Sequence, residues 1–161
     1  MHYLAFDIGG ANLKYSDGRE LAESEAFALW KHPDRLAARL RAVVERVPAC
    51  QRVAATMTGE LADCFASKTE GVLFILDSLR QAVGERKLSV FLTDGRVVDV
   101  DAAKDKPRLA AASNWLALAC YAGRYAGRGP ALLLDAGSTT CDVIPLQDGH
   151  PIPRAHDDTG R

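Results

Sequence analysis

Two stretches of the chain share a pattern of residues that could hold a phosphate and a metal ion. Near the N-terminus an apolar run ends in Asp7-Ile8-Gly9-Gly10-Ala11-Asn12-Leu13-Lys14, and near the C-terminus another ends in Asp135-Ala136-Gly137-Ser138-Thr139-Thr140-Cys141-Asp142. Each copy contains Asp-x-Gly, then small or polar residues, and a charged residue seven positions after the first aspartate. An Asp-Gly turn follows each copy, at 17–18 and at 148–149. We interpret the two stretches as a duplicated strand-turn-strand unit.

The residue types of this unit match what a phosphate and its metal ion require. Asp7 and Asp135 would lie at the carboxyl ends of strands, where ligands of open α/β sheets bind, and both are predicted ligands of Mg²⁺. Lys14 can pair with a phosphate as a point charge, and glycines let backbone N–H groups approach phosphate oxygens closely. The predicted phosphate-binding residues are Gly9, Gly10, Asn12, Gly137, Ser138, Thr139 and Thr140. A single Asp-x-Gly is also common in turns, but two matching copies favour the phosphate-binding interpretation.

Two further segments carry polar residues next to predicted elements. Thr58 and Glu60 follow an apolar strand that would end at the same sheet edge as Asp7, so both are candidates for contact with a substrate. The alternative is that Thr58 or Asp63 caps the following helix. Asn114 lies in a predicted helix that is otherwise apolar, which makes it a candidate substrate contact or a buried amide with local partners.

The hydrophobic periodicity predicts the elements that position these residues. Strands are predicted over 3–8, 12–16, 21–29, 53–57, 88–93 and 97–100, helices over 33–47, 68–83 and 109–125, and a further strand from 131. This order predicts an α/β fold with a mixed sheet and flanking helices. We place the first domain at residues 1–129. Residues 130–161 repeat its opening strands, and no predicted helix remains to bury them, so we interpret them as the start of a second, truncated lobe.

The composition of the chain excludes several classes of function. The formal net charge of the 161 residues is −1, so we expect no nonspecific attraction to nucleic acid or to an anionic membrane. No apolar run reaches the length of a membrane span. The four cysteines form no Cys-x-x-Cys pair, which favours reduced thiols and a cytoplasmic location. The sequence predicts no particular oligomeric state.

Four segments together resemble one protein family. They are the two copies of the repeated pattern, the stretch Thr56-Met57-Thr58-Gly59-Glu60-Leu61-Ala62-Asp63-Cys64-Phe65 and the stretch Ala112-Ser113-Asn114-Trp115. The chain resembles the hydantoinase/oxoprolinase-like family of the acetate and sugar kinase, heat-shock 70 and actin superfamily. The similarity is strongest to the branch linked to tetrahydromethanopterin-dependent C1 metabolism and methanofuran assembly. The resemblance implies two ribonuclease-H-like lobes, which in that superfamily close on a nucleotide and a metal ion, and here a phosphorylated small-molecule substrate.

The resemblance also implies a reaction. It would be a transferase that joins an aminomethylfuran diphosphate to a phenol oxygen and releases diphosphate. Asp7 and Lys14 would act on the diphosphate with Mg²⁺, and either Glu60 or Asp142 would be the base for the phenol. An ATP-dependent small-molecule kinase, a hydantoinase-like hydrolase and a nucleotide-dependent assembly module are the alternatives, and ATP remains an alternative ligand. We expect residues 1–161 alone to be inactive, because the resemblance places part of the site in the second lobe.

Overall fold

The computed structural model describes residues 2–136 and 141–153. The strands are β1 (Tyr3–Ile8), β2 (Asn12–Ser16), β3 (Ala22–Ala26), β4 (Arg52–Met57), β5 (Lys87–Phe91), β6 (Val97–Asp99), β7 (Pro130–Ala136), β8 (Cys141–Gln147) and β9 (His150–Pro151). The α-helices are α1 (Leu36–Glu45), α2 (Lys68–Val83), α3 (Val100–Lys104), α4 (Pro107–Ala110) and α5 (Asn114–Ala122), and short 3-10 turns cover Pro33–Arg35 and Gly59–Leu61. Within the described ranges no helix combines the length and apolar character needed to cross a bilayer.

The first sheet is mixed, as predicted. Its strand order is β3-β2-β1-β4-β5-β6, in which β4 runs parallel to both β1 and β5 and the other pairs are antiparallel. Alternate residues of β1, such as Leu4 and Phe6, are buried in one core together with apolar residues of α1 and α2. Tyr3 and Ala5, which alternate with these residues, lie on the opposite face and are exposed. The α/β class is therefore confirmed, with helices α1 and α2 on one face of the sheet.

Ion pairs join the edge strand β3 to α1. The Tyr15 hydroxyl donates to Glu23 at 2.7 Å, and Arg46 donates to the same carboxylate at 2.8 Å. Arg39 forms a second ion pair with Glu25. The hydrogen bonds from Arg46 and Tyr15 lower the pKa of Glu23 to about 2, whereas burial and the two carboxylates raise the pKa of Tyr15 to about 12. These ion pairs hold the short, polar edge strand β3 against α1 and the residue that follows it.

The largest difference from the predicted elements lies before the second sheet. The single helix predicted over 109–125 is wrong, because α4 and α5 are separated by a turn in which Ala112 has a left-handed φ of 47°. The structure also contains α3, which the periodicity did not predict. An Ala-rich stretch is compatible with helix throughout, so its local pattern does not reveal the break. At the break, Ala112 N–H donates to a residue distant in sequence, Glu60.

The second sheet has the order β7-β8-β9 and is antiparallel. Trp115, Leu116 and Ala119 of α5 form a small core with Ile144 and Leu146 of β8. The expectation that no helix buries this sheet is therefore wrong for one face, because a helix that precedes the sheet in sequence covers it. The other face exposes Leu132, Leu134 and Val143. The boundary between the two predicted domains falls between α5 and β7 and stays a prediction.

Candidate functional site

Three polar side chains meet on the open face of the first sheet. Asp7 pairs in register with Lys14 of β2 and with Thr56 of β4. The Lys14 Nζ lies 3.3 Å from Asp7 Oδ2, and the Thr56 hydroxyl donates to Asp7 Oδ1 at 3.2 Å. Lys14 is exposed and Asp7 is partly exposed. The cluster therefore presents an ammonium group to solvent while its carboxylate is held from both neighbouring strands.

In the loop after β1 the carbonyl groups are hydrogen-bonded, whereas two N–H groups have no protein partner among the described residues. The carbonyl groups of Gly10 and Ala11 accept hydrogen bonds from Leu29 and Phe27, each at 2.9 Å, and Gly9 N–H donates to the Asn12 carbonyl at 3.0 Å. Within the described residues, neither Gly10 N–H nor Ala11 N–H has a hydrogen-bond partner. A Cβ added at Gly10 would meet nothing within 4 Å, and Asn12 is exposed. Two backbone donors are thus available to an anion in the loop that connects the strands of Asp7 and Lys14. Because Phe27 and Leu29 bond to this loop and not to β2, β3 ends at Ala26 and not at residue 29 as predicted.

The segment after β4 packs directly against this loop. Thr58 N–H donates to the Ile8 carbonyl at 2.9 Å. A Cβ at Gly59 would lie 3.1 Å from the Ile8 oxygen and 3.2 Å from the Gly9 oxygen, which is tighter than most Cβ contacts, so this approach favours glycine. The Thr58 side chain makes no capping hydrogen bond, and Ser67 is the residue that caps α2. The capping alternative is therefore wrong for Thr58 and Asp63, and Thr58 lies beside the candidate phosphate loop.

Glu60 and Asn114 lie at the boundary between the first sheet and α5. Glu60 is only 1% exposed, and its Oε1 accepts a hydrogen bond from Ala112 N–H at 2.9 Å. Asn114 is half-buried and is the first residue of α5. The position of Glu60 favours a structural role, and Asp142 is the more accessible of the two candidate bases. Which of them acts as the base stays a prediction.

The strands that flank the second copy of the repeated pattern pair in the same register as those of the first. Asp135 of β7 pairs with Asp142 of β8, as Asp7 pairs with Lys14, and each ladder has one further pair after this one. Both aspartates are half-buried. The predicted phosphate ligands Gly137, Ser138, Thr139 and Thr140 lie outside the described residues. The duplication is therefore supported at the level of strand register.

Comparison with known proteins identifies the family. Residues 51–159 match the family model described as hydantoinase/oxoprolinase. The chain belongs to the hydantoinase/oxoprolinase family. It is also 35% identical over 148 residues to (4-{4-[2-(gamma-L-glutamylamino)ethyl]phenoxymethyl}furan-2-yl)methanamine synthase of Methanocaldococcus jannaschii. That alignment covers 90% of this chain and 43% of the relative, so the chain spans less than half of the relative's length.

In this hydantoinase/oxoprolinase chain the polar cluster lines a cavity of about 650 Å³ on the open sheet face. This volume is in the range of small-molecule sites, which hold about 300–1,000 Å³. Ala5 and Ala54, paired in register, line the cavity together with Phe91 and Val97.

The metal assignment stays a prediction. Within residues 2–136 and 141–153, no group of three or more His, Cys, Asp or Glu side chains converges as a metal site. Asp7 still fits the way proteins hold Mg²⁺, which often uses one or two carboxylates together with water and substrate phosphates. Asp135 is the second predicted ligand.

Proposed function

We propose that the complete protein is a transferase that joins an aminomethylfuran diphosphate to a phenol acceptor and releases diphosphate. The observation that carries this proposal is the first hairpin, where Lys14 is exposed beside the Asp7 carboxylate and the N–H groups of Gly10 and Ala11 in the connecting loop are available. The name of the Methanocaldococcus jannaschii relative supports the substrate class, because its product contains a phenoxymethyl-furan ether.

Each group would have a defined task in this reaction. The phenol oxygen forms a bond to the methylene carbon of the furan, and the bond from that carbon to the diphosphate oxygen breaks. Lys14 and the two backbone N–H groups would stabilise the negative charge that develops on the leaving diphosphate. When bound, Mg²⁺ would neutralise further charge on that group, with Asp7 and Asp135 as its protein ligands. Asp142 would take the phenol proton.

The proposed reaction uses two hairpins, and we assign each of them to a different lobe. We propose that β1–β6 with α1 and α2 form a ribonuclease-H-like lobe and that β7–β9 begin a second lobe of the same kind. The equivalent register of the two hairpins supports it. The two candidate phosphate loops would then belong to different lobes, and a diphosphate could be held from both sides.

A ligand-binding experiment tests this function against the ATP-dependent alternatives. Inorganic diphosphate with Mg²⁺ is expected to raise the melting temperature of the protein by about 3–6 °C when its concentration is about ten times Kd. The Lys14→Ala variant should lose this shift, whereas Lys31→Ala, which removes an exposed lysine outside the cluster, should keep it. Stabilisation by ATP and none by diphosphate would contradict the proposal and favour a kinase.

A further inference from the structure

Glu60 lies where three segments of the family pattern meet. It follows Thr58 and Gly59, which pack on the loop after β1, and its carboxylate reaches the turn before α5. We propose that Glu60 is a positioning residue: it fixes the turn at 111–113 and thereby sets α5, with the second hairpin on it, relative to the first hairpin. The activity readouts below rest on the proposed function; the exchange readout does not.

The backbone of Glu60 is itself held in place from two sides. A Cβ at Gly71 of α2 would lie 2.6 Å from the Glu60 carbonyl oxygen and 2.7 Å from its Cα, so α2 lies too close to Glu60 for any side chain at 71. On the other side a Cβ added at Gly59, the preceding residue, would lie 3.1 Å from the Ile8 oxygen and 3.2 Å from the Gly9 oxygen. The Glu60 carboxylate is therefore attached to a closely packed stretch of backbone.

The backbone conformation of the turn that Glu60 contacts has an unfavourable free energy, which a hydrogen bond can offset. Ala112 has a left-handed φ of 47°, which a residue with a Cβ adopts at a cost of about 1–3 kcal/mol. The neighbouring Ser113 is fully buried, and its hydroxyl has no hydrogen-bond partner among the described residues. The hydrogen bond from Ala112 N–H to Glu60 Oε1, at 2.9 Å, offsets part of this cost. It also specifies where α4 ends and α5 begins.

Helix α5 begins at this turn and packs on the second sheet. Its apolar face, with Trp115 and Ala119, packs on Ile144 and Leu146 of β8. At its C-terminal end a Cβ at Gly123 would lie 1.9 Å from the Gly149 oxygen, so helix and β8–β9 turn are in backbone contact. A shift of α5 therefore moves the hairpin that carries Asp135 and Asp142.

The same facts argue against Glu60 as the general base. A base must reach the proton that it removes, directly or through one water molecule. The Glu60 side chain is 1% exposed, and one of its oxygens is already bonded to a backbone N–H. Its contribution to the reaction would be the placement of α5.

Two substitutions of Glu60 separate a positioning role from a general-base role. Glu60→Gln keeps an oxygen that accepts from Ala112 N–H but has no basicity, whereas Glu60→Ala removes both. In the complete protein we expect Glu60→Gln to keep kcat within about threefold of wild type with an unchanged pH profile, and Glu60→Ala to lower kcat/KM at least about tenfold, the size of one lost buried hydrogen bond. Equal loss of activity in both variants, or a changed acid limb in Glu60→Gln, would overturn the proposal.

Hydrogen exchange provides a readout that does not depend on the reaction. The Ala112 amide should exchange slowly in wild type and in Glu60→Gln, and about tenfold or more faster in Glu60→Ala. If wild type makes no ether product, the proposed function fails while this comparison still tests the positioning role. If Glu60→Ala does not fold, the pH profile and Ala112 exchange of Glu60→Gln decide the question. Fast Ala112 exchange in wild type would contradict the positioning role.

Discussion

Replacing Asp7 with asparagine is expected to lower kcat/KM of the complete protein by about a thousandfold or more, with the fold intact. The Asp7 carboxylate accepts from the Thr56 hydroxyl and pairs with Lys14, and it is the predicted Mg²⁺ ligand of the first hairpin. Asparagine keeps the size and one acceptor oxygen, so the sheet should tolerate it. It removes the charge that orients Lys14 and would hold the metal. Steady-state kinetics with circular dichroism of the same sample measures both parts of the prediction.

The matched control for this variant is Asp105→Asn. Asp105 is exposed in the turn that follows α3, outside the cavity and both hairpins. The same loss of one negative charge there should leave kcat/KM within about twofold, because surface substitutions away from special features have small effects. If Asp7→Asn and Asp105→Asn had equal activity, Asp7 would have no role in the metal or diphosphate site.

Replacing Gly123 with alanine is expected to separate the second sheet from α5. The added Cβ would lie 1.9 Å from the Gly149 oxygen and 2.9 Å from the Gly149 carbonyl carbon, and both are backbone atoms that no side-chain rotation can move. Either the helix or the β8–β9 turn must shift, at a cost of about 2–3 kcal/mol in the free energy of unfolding. Trp115, which is 2% exposed in the core between α5 and β8, should then show a red-shifted fluorescence emission.

A second glycine close by in sequence serves as the control. A Cβ at Gly127 would meet nothing within 4 Å, and the residue has no positive φ. Gly127→Ala should therefore change the free energy of unfolding by less than about 0.5 kcal/mol. Chemical denaturation of both variants measures the difference. Equal stability of Gly123→Ala and wild type would show that α5 and the second sheet are not packed as described.

Much of the first sheet could be predicted from local patterns. Helix α2 begins at Lys68 and ends at Val83, as its 3.6-residue apolar periodicity predicted. Strands β1 and β2 also have their predicted bounds, because alternating or continuous apolar runs are interrupted by glycine and Asp-Gly turns. The pairing of Asp7 with Lys14 follows from the same hairpin, so this part of the candidate site was accessible from sequence.

The remaining features depend on contacts between distant segments. Thr56 received no predicted role, although its place in β4 puts its side chain on the same face as Asp7 once β1 and β4 pair in parallel. Parallel register cannot be derived from either strand alone. Glu60 was a candidate base and substrate contact, and the structure adds a hydrogen bond that its carboxylate accepts from Ala112 N–H. That contact lies at the break between α4 and α5, which the periodicity of residues 109–125 did not reveal.

The most direct test of the account is a product analysis of the complete protein supplied with an aminomethylfuran diphosphate, a phenol acceptor and Mg²⁺. We predict one diphosphate released for each ether formed, no diphosphate release without the phenol, and no product from Asp7→Asn. Transfer of a phosphoryl group from ATP to a small molecule, with no ether formed from the diphosphate ester, would contradict it.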